Sequence, residues 1–193
     1  MSSQPHTLDP DADIIPRLAA GDETALSELM ARRLKSIHGL AARLLGDAVM
    51  AEDVAQTVFL KTWTHAPKWE PGKARLLTWM CRVATNQCLD ILKRKGPIYS
   101  DNVPDISDSR LSVVDKLTAD DDAVIVSMAM AQLPATQRAA ITLCYFDELS
   151  QKEAATILNV SVKAYESLLS RGRKNLKKAL LNAQDYKEKR DVS

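Results

Sequence analysis

The chain has 193 residues, of which 46% are hydrophobic, 5% aromatic and 26% charged, and its formal net charge is +1. The apolar share is enough to bury a core, so disorder throughout the chain is excluded, and the length allows one domain or two small ones. No apolar run approaches the roughly 20 residues of a membrane-spanning helix. The polar N-terminus does not have the pattern of a secretory signal. The odd number of cysteines argues against a disulfide framework.

The charge is distributed unevenly along the chain. Residues 1–98 carry 13 basic and 11 acidic side chains, residues 99–123 carry 2 and 7, and residues 124–193 carry 11 and 7. The acidic middle is rich in Ser, Asp and Pro, which is typical of an extended connector. A long loop inside one domain is the alternative, but loops of that length are uncommon in compact domains. We therefore expect two modules joined by a flexible acidic linker.

Four helices are predicted in the first module from apolar residues at helical spacing. They cover about residues 11–20, 22–45, 47–65 and 73–95. Gly21 and Gly46 end the first two helices, and Asp22 can cap the second. The apolar positions of the second and third helices include Leu34 and Leu60, so both side chains are expected to be buried.

Four more helices are predicted in the second module. They cover about residues 123–132, 134–146, 150–158 and 162–183. Pro134 suits the start of a helix. Ser150 to Glu153 matches the capping box S-x-x-E, in which the serine hydroxyl accepts from the glutamate amide and the carboxylate reaches back. Beyond residue 183 the chain is polar and is expected to be frayed. The predicted fold class is all-α, with two small helical domains.

The last two helices have the outline of a DNA-reading helix-turn-helix: a short helix, a three-residue turn and a longer basic helix. One stripe of the long helix is apolar and includes Tyr165 and Gly172. The other stripe is polar and is predicted to face DNA, with its members at Lys163, Glu166, Ser167, Ser170, Arg171, Arg173 and Lys174. Residues 171–190 hold eight basic and two acidic side chains, which supports this interpretation. The alternative is a helix hairpin with a solvated basic face.

The first module has a basic and aromatic surface on its fourth helix and the loop before it. Its members are Lys68, Trp69, Lys73, Trp79, Arg82, Asn86, Asp90, Lys93 and Arg94. Such a set suits unpaired bases, because a ring can stack, an amide can read a base edge and cations can hold phosphates. Tryptophans more often fill cores. We assign Trp63 to the core, whereas Trp79 fits a core position and a DNA wedge equally well.

Three blocks of sequence then point to a family. They are AEDVAQTVFLKTW (51–63), LLTWMCRVATNQCLDILKRK (76–95) and LPATQRAAITLCYFDELSQKEAATILNVS (133–161). In this order and spacing, over about residues 11–182, the chain resembles an extracytoplasmic-function (ECF) sigma factor of bacterial RNA polymerase. The resemblance implies an alternative sigma factor of a bacterial stress response, with a σ2 domain, a linker and a σ4 domain.

The resemblance also implies partners. They are core RNA polymerase, promoter DNA with −35 and −10 elements, and an anti-sigma factor that is either membrane-anchored or a soluble zinc-binding protein. We expect a cytoplasmic protein that does not insert into a membrane, is not an enzyme and needs no cofactor or metal. The implied segments are a disordered N-terminus (1–10), σ2 (11–97), a linker (98–122), σ4 (123–183) and a polar tail (184–193).

Residue roles follow by position from the same resemblance. Asp53 and Gln56, with Glu52 and Phe59 beside them, correspond to residues that dock on the β′ coiled coil of the polymerase. Thr57 stands where the family has an acidic residue, so at this position the sequence departs from the family's polymerase-docking motif.

In the DNA-binding helices, the first module resembles the family more closely than the second module does. Asn86 and Asp90 stand where the −10 strand is read, and residues 65–73 form the loop that cradles a flipped base. In the recognition helix, Glu166 and Leu168 replace two basic residues of the family, so the −35 sequence read is expected to differ from the common one.

Other functions are disfavoured by the sequence. A one-component helix-turn-helix transcription regulator is the main alternative, but no buried polar cluster indicates its ligand pocket. A redox or metal sensor is disfavoured because Cys81 and Cys88 lie about 10.5 Å apart along a helix axis, too far for a disulfide, and no histidines have ligand spacing. No phosphate loop, nucleophile motif or metal motif indicates an enzyme.

Overall fold

The computed structural model describes residues 9–94, 121–146 and 148–191, with side chains for 9–94, 124–146 and 148–182. Over these ranges the chain forms helices and turns and no strand, which confirms the all-α prediction. The helices are α1 (Ile14–Ala19), α2 (Glu23–Leu45), α3 (Ala48–His65), α4 (Leu76–Arg94), α5 (Asp121–Ala131), α6 (Ala135–Cys144), α7 (Gln151–Ile157) and α8 (Val162–Asp191), with a 3₁₀ turn at Ala66–Lys68. Most of the predicted linker and residues 1–8 lie outside the described residues. None of the described helices is long and apolar enough to cross a membrane.

Three of the four helices in the first unit, α2, α3 and α4, have a first-turn backbone amide that donates to an aspartate carboxylate. Asp22 Oδ1 accepts a hydrogen bond from the Thr24 amide at 2.9 Å, as predicted. The amide of Leu76, the first residue of α4, donates to Asp9 Oδ2 at 2.6 Å. The expectation that residues 1–10 are disordered is therefore wrong for Asp9, because its carboxylate caps a helix that begins 67 residues later.

In the second unit, the capping box and the turn before α8 form as the sequence predicts. The Ser150 amide donates to Glu153 Oε2 at 2.9 Å, and the Glu153 amide donates to Ser150 Oγ at 3.2 Å. Asn159 adopts a left-handed conformation with φ 56° between α7 and α8. The Ser161 hydroxyl accepts from the Ala164 amide at 3.1 Å and thereby caps α8.

Each unit has an apolar interior. In the first unit α2, α3 and α4 pack on one another, and Ile37 and Leu77 are fully buried. In the second unit α6 and α8 pack closely, and the buried Tyr165 hydroxyl donates to the Ala140 carbonyl at 3.0 Å. Gly172 lies at this contact, where an added Cβ would be 3.0 Å from Ile141 Cδ1. The apolar stripe of α8 thus packs inward, and its polar stripe is left exposed.

Two residues predicted to be buried are exposed. Leu34 is 41% and Leu60 is 64% accessible to solvent. On α2, Arg33 lies on the buried side of the helix, where Asp11 neutralises its charge. Leu34 is the next residue, so its side chain is turned about 100° away from Arg33 and reaches solvent. Leu60 lies similarly beside the buried Phe59 on α3.

The helix α8 is also longer than predicted. It ends at Asp191 and not near residue 183. The added residues, 184–191, include Gln, Lys, Glu and Arg and no Gly or Pro, so nothing in this stretch interrupts a helix.

The two units pack against each other. Helices α2 and α4 of the first unit contact α6, and α4 also contacts α7. The buried Arg138 of α6 donates to the carbonyl of Leu44 near the end of α2, at 2.8 Å. The sequence predicts an acidic linker between the units, and such a linker does not fix how the two units lie relative to each other. This contact therefore could not be predicted from it.

Candidate nucleic-acid interface

The polar stripe of α8 forms the first candidate DNA surface. All of its predicted members are exposed: Lys163, Glu166, Ser167, Ser170, Arg171, Arg173 and Lys174. On the opposite side of the helix Tyr165, Leu169 and Gly172 are buried. The helix therefore presents cations, hydroxyls and one carboxylate on a single face, which are groups that hydrogen-bond to base edges in the major groove.

Two arginines of this surface are partly positioned by local contacts. Arg171 Nε donates to the Ser167 carbonyl at 3.4 Å. Arg173 Nη2 lies 3.5 Å from Cys144 Sγ, at the end of α6. Both side chains remain exposed, so their remaining donors are available to phosphates or bases.

The second candidate surface lies on α4 and the preceding loop. Its cations, amide and carboxylate are exposed: Lys68, Lys73, Arg82, Asn86, Asp90, Lys93 and Arg94. Trp69 and Trp79 are half-buried. Two ion pairs occur here, Lys73 with Glu70 at 3.2 Å and Lys93 with Asp90 at 4.0 Å, and at such exposed sites they contribute little to stability.

A cluster of three rings joins the loop to both neighbouring helices. His65 stacks on Trp79 with ring centroids 5.0 Å apart and planes at 6°. Trp69 meets Trp79 edge-on at 6.0 Å and His65 edge-on at 6.1 Å. Trp79 is thus neither a plain core residue nor a free wedge, but part of a half-exposed aromatic platform. The sequence indicated the tryptophans and the loop but not the stacking of His65.

A groove of about 360 Å³ lies between α3 and α4 beside the −10 candidates. Asn86, Asp90 and Arg94 line it, together with Lys61 and Gln87, which sequence reasoning missed. Gln87 Oε1 is buried and accepts no hydrogen bond from any described residue. The groove therefore offers an acceptor, an amide and cations within reach of one another.

The predicted polymerase-docking residues divide into two groups. Glu52, Asp53 and Gln56 are exposed along one side of α3. Phe59 is only 4% accessible and packs in the core, so in this conformation its side chain supports α3 and is not available to a partner. Thr57 donates its hydroxyl to the Asp53 carbonyl at 2.9 Å.

All three cysteines are free thiols. Cys81 and Cys88 are buried, and burial raises the pKa of each thiol to about 12. Among the described residues no group of three His, Cys, Asp or Glu side chains is arranged to hold a metal ion.

Comparison with known proteins identifies the two units separately. The Sigma-70 region 2 family model matches residues 29–97, and the Sigma-70, region 4 model matches residues 123–176. The ECF RNA polymerase sigma factor SigW of Bacillus subtilis (strain 168) is 29% identical over 177 residues, which are 86% of this chain and 94% of that protein.

Two solved structures share the fold. CnrH in complex with the cytosolic domain of CnrY superposes with a TM-score of 0.65 at 24% identity, over 90% of this chain and 97% of that one. The sigma factor RpoE of Bartonella quintana, in complex with the anti-sigma factor NepR, gives a TM-score of 0.62 at 24% identity, over 80% and 95%. With both regions matched in order and the relative matched along most of its length, this chain belongs to the ECF family of RNA polymerase sigma factors.

Proposed function

We propose that the chain binds core RNA polymerase and directs it to promoters by reading two DNA elements with two surfaces. The observation that carries this proposal is the pair of exposed surfaces, one on α8 and one on α4 with its preceding loop, in the two units that the sigma-factor regions match.

We assign −35 recognition to α8. Arg171 and Lys174 can donate to guanine O6 and N7, and Glu166 can accept from the cytosine amino group. Arg173, whose Nη2 lies 3.5 Å from Cys144 Sγ at the end of α6, would bind phosphate. A carboxylate on the face that contacts bases is repelled by the DNA phosphates, which weakens binding unless the carboxylate accepts a hydrogen bond from a base. Glu166 should therefore favour cytosine at one position.

We assign −10 recognition and strand opening to α4 and its loop. The platform of His65, Trp69 and Trp79 offers ring faces and edges to an unstacked base, and each such stacking contact is worth roughly 1–3 kcal/mol. Asn86 and the neighbouring groove supply hydrogen-bonding groups for a base edge. Binding energy of this kind can open strands without any bond chemistry, so the proposal requires no catalytic residue.

The polymerase contact is assigned to the exposed side of α3 at Glu52, Asp53 and Gln56. Charged and amide side chains of this kind form the rim of interfaces and set partner choice. Phe59 contributes indirectly, because it anchors the same helix in the core.

We further propose that an anti-sigma factor controls the protein in the cytoplasm. The structural neighbour RpoE is bound to the anti-sigma factor NepR. An inhibitor that covers the Asp53–Gln56 side of α3 and part of the second unit would exclude polymerase, and binding both units at once would raise its affinity through effective concentration.

The test is transcription in a purified system. Core polymerase with this protein should start transcripts at discrete sites on templates selected from a random library, whereas core alone or the protein alone should not. A helix-turn-helix regulator that needs another sigma factor would instead give transcripts only when that factor is added, and this result would contradict the proposal.

A further inference from the structure

Three aspartates at alternate positions before α1 each bind a different partner. Asp11 is fully buried, and its Oδ2 accepts a hydrogen bond from Arg33 Nε at 2.8 Å. Asp13 Oδ2 pairs with Arg32 Nη2 at 3.2 Å. Because Arg32 and Arg33 both lie on α2, these two contacts attach the segment before α1 to that helix. The third aspartate, Asp9, lies against α4 instead.

Both carboxylate oxygens of Asp9 accept hydrogen bonds from backbone amides. Oδ2 accepts from the amide of Leu76, the first residue of α4, at 2.6 Å. Oδ1 accepts from the amide of Asp11 at 3.1 Å, and this second bond fixes the direction of the carboxylate. A negative charge is favourable at this place, because the first amides of a helix lack carbonyl partners and form its positive end.

The helix α4 has no capping side chain of its own. The three residues before it are Lys73, Ala74 and Arg75, and none of their side chains carries a hydrogen-bond acceptor. Ser, Thr, Asp or Asn would ordinarily stand at this place. The hydrogen bonds within α4 begin with the Trp79 amide, which donates to the Arg75 carbonyl at 3.1 Å. The cap for the first turn is therefore supplied by Asp9, from a distant part of the sequence.

The same N-terminal segment also packs on the other end of the loop that precedes α4. Helix α1 contacts the 3₁₀ turn Ala66–Lys68, with Ile14 and Leu18 buried on the side of α1 and Ala66 buried in the turn. Between the two ends, residues 70–74 are all exposed, and Gly72 has a left-handed conformation with φ 81°. One segment of the chain, residues 9–19, thus contacts the loop at its start and caps the helix at its end.

The aromatic platform depends on both ends of this loop. His65 comes from the end of α3, Trp69 from the loop and Trp79 from the first turn of α4. The ring centroids of Trp69 and Trp79 are 6.0 Å apart, and those of His65 and Trp79 are 5.0 Å apart. If the first turn of α4 frays, Trp79 moves away from the other two rings.

We propose that Asp9 is a positioning residue for −10 recognition, which acts by fixing the first turn of α4 and thereby the arrangement of the aromatic platform. This inference rests on the proposed function, because it concerns how the platform is held ready for an unstacked base. Asp9 belongs to neither candidate DNA surface, so its side chain can be changed while the groups that would contact DNA stay the same.

The experiment compares wild type with Asp9→Ala and Asp9→Asn in the full-length chain. Asp9→Ala removes both acceptor oxygens. Asp9→Asn keeps one oxygen, and asparagine caps helices about as well as aspartate. The asparagine variant should therefore recover most of what the alanine variant loses.

The matched control is Asp47→Ala, which removes an aspartate cap from another helix of the same unit. Asp47 Oδ1 accepts from the Met50 amide at 3.0 Å at the start of α3. The aromatic platform adjoins the opposite end of α3, at His65. The two alanine variants should lower the urea midpoint by similar amounts, so any difference between them in DNA opening does not come from general stability.

Hydrogen exchange of the free protein gives the structural readout. In Asp9→Ala the amides of residues 76–79 should exchange roughly fivefold faster than in wild type, as expected for the loss of one cap. The amides of α8 should be unchanged. In Asp47→Ala the faster exchange should be confined to the start of α3. Unchanged exchange at residues 76–79 in a folded Asp9→Ala protein would overturn the proposal.

Promoter opening gives the functional readout. With core polymerase and saturating sigma factor, permanganate should modify unpaired thymines of the −10 element several-fold less with Asp9→Ala than with wild type or Asp47→Ala. The penalty for a mutated −35 element should be the same for all proteins. Wild-type opening by Asp9→Ala despite its faster exchange, or equal losses in Asp9→Ala and Asp47→Ala, would overturn the positioning role.

The two readouts separate this inference from the proposed function. If wild type opens promoters with core polymerase and Asp9→Ala does so equally well, the positioning role alone is wrong. If exchange at residues 76–79 changes as expected but wild type itself opens no promoter, the proposed function is wrong, and with it the role of Asp9 in DNA recognition, while the cap of α4 by Asp9 stands.

Discussion

The residues whose pKa is most clearly raised lie in the interior, away from the two candidate DNA surfaces. Burial raises the pKa of Cys81, Cys88 and Tyr165 to about 12. Side chains that bind DNA through fixed charges and stacked rings need no titrating group near neutral pH. We therefore attribute these shifts to packing, and they lead to two predictions.

The first prediction concerns thiol reactivity. Because the thiolate is the reactive form, Cys81 and Cys88 should resist a disulfide reagent at pH 8, whereas the half-buried Cys144 should react. Ellman's reagent should therefore titrate about one thiol per native chain and all three in guanidinium. Rapid reaction of two or three thiols in the native protein would show that the interior around α4 is open.

The second prediction concerns stability at high pH. A pKa of about 12 in the folded chain lies above the ordinary values of 9.0 for cysteine and 10.0 for tyrosine, so unfolding releases protons in this range. The stabilising contribution is complete below pH 9 and decreases as the pH rises toward 12. The urea midpoint should therefore decrease between pH 8.5 and 10.5. It should decrease less in Cys88→Ala, and a midpoint that is independent of pH would contradict the assigned burial.

Helix ends show which parts of the fold are encoded locally. The capping box at Ser150 and Glu153 and the cap at Asp22 depend on residues within three positions, and the sequence predicts both correctly. The cap of α4 by Asp9 is invisible to such patterns, because donor and acceptor are 67 positions apart.

The candidate site divides in the same way. Exposed polar stripes follow from helical periodicity, so the exposure of most members of the two candidate DNA surfaces was predictable. The stacking of His65 on Trp79 and the groove with Lys61 and Gln87 depend on how α3 packs against α4. The burial of Phe59 likewise follows from the side of α3 that faces the core.

A third prediction tests the close packing of α6 and α8. Gly172→Ala should lower the free energy of unfolding by about 1–2 kcal/mol. The added Cβ would meet Ile141 Cδ1 at 3.0 Å and the Gln137 carbonyl at 3.3 Å, and overpacking costs more than the gain in helix propensity.

The matched control is Gly39→Ala in α2, where the nearest atom is the end of the Arg43 side chain at 3.6 Å. This change should stabilise the protein by up to about 1 kcal/mol. Equal effects of the two substitutions, measured by urea unfolding, would contradict the packing described for α8.

Across the whole molecule, three surfaces are separated: the exposed side of α3, the face of α4 with its loop, and the face of α8. A fourth prediction follows from this separation. The double variant Asp53→Ala, Gln56→Ala should compete poorly with another sigma factor for limiting core polymerase. Its unfolding free energy should change by about 0.5 kcal/mol or less, because both residues are exposed. If the double variant competes as well as wild type, the docking contact does not involve Asp53 and Gln56.

We propose that one chain reads two promoter elements with two independent surfaces. The most direct test of this proposal is transcription by core polymerase with wild type, Asn86→Ala, Arg171→Ala and the double variant, on templates mutated in one element at a time. Each variant should lose discrimination at its own element only, −10 for Asn86 and −35 for Arg171, at a cost of roughly 1–3 kcal/mol each, and the two costs should add. Loss of discrimination at the same element by both variants, or at neither, would contradict the account.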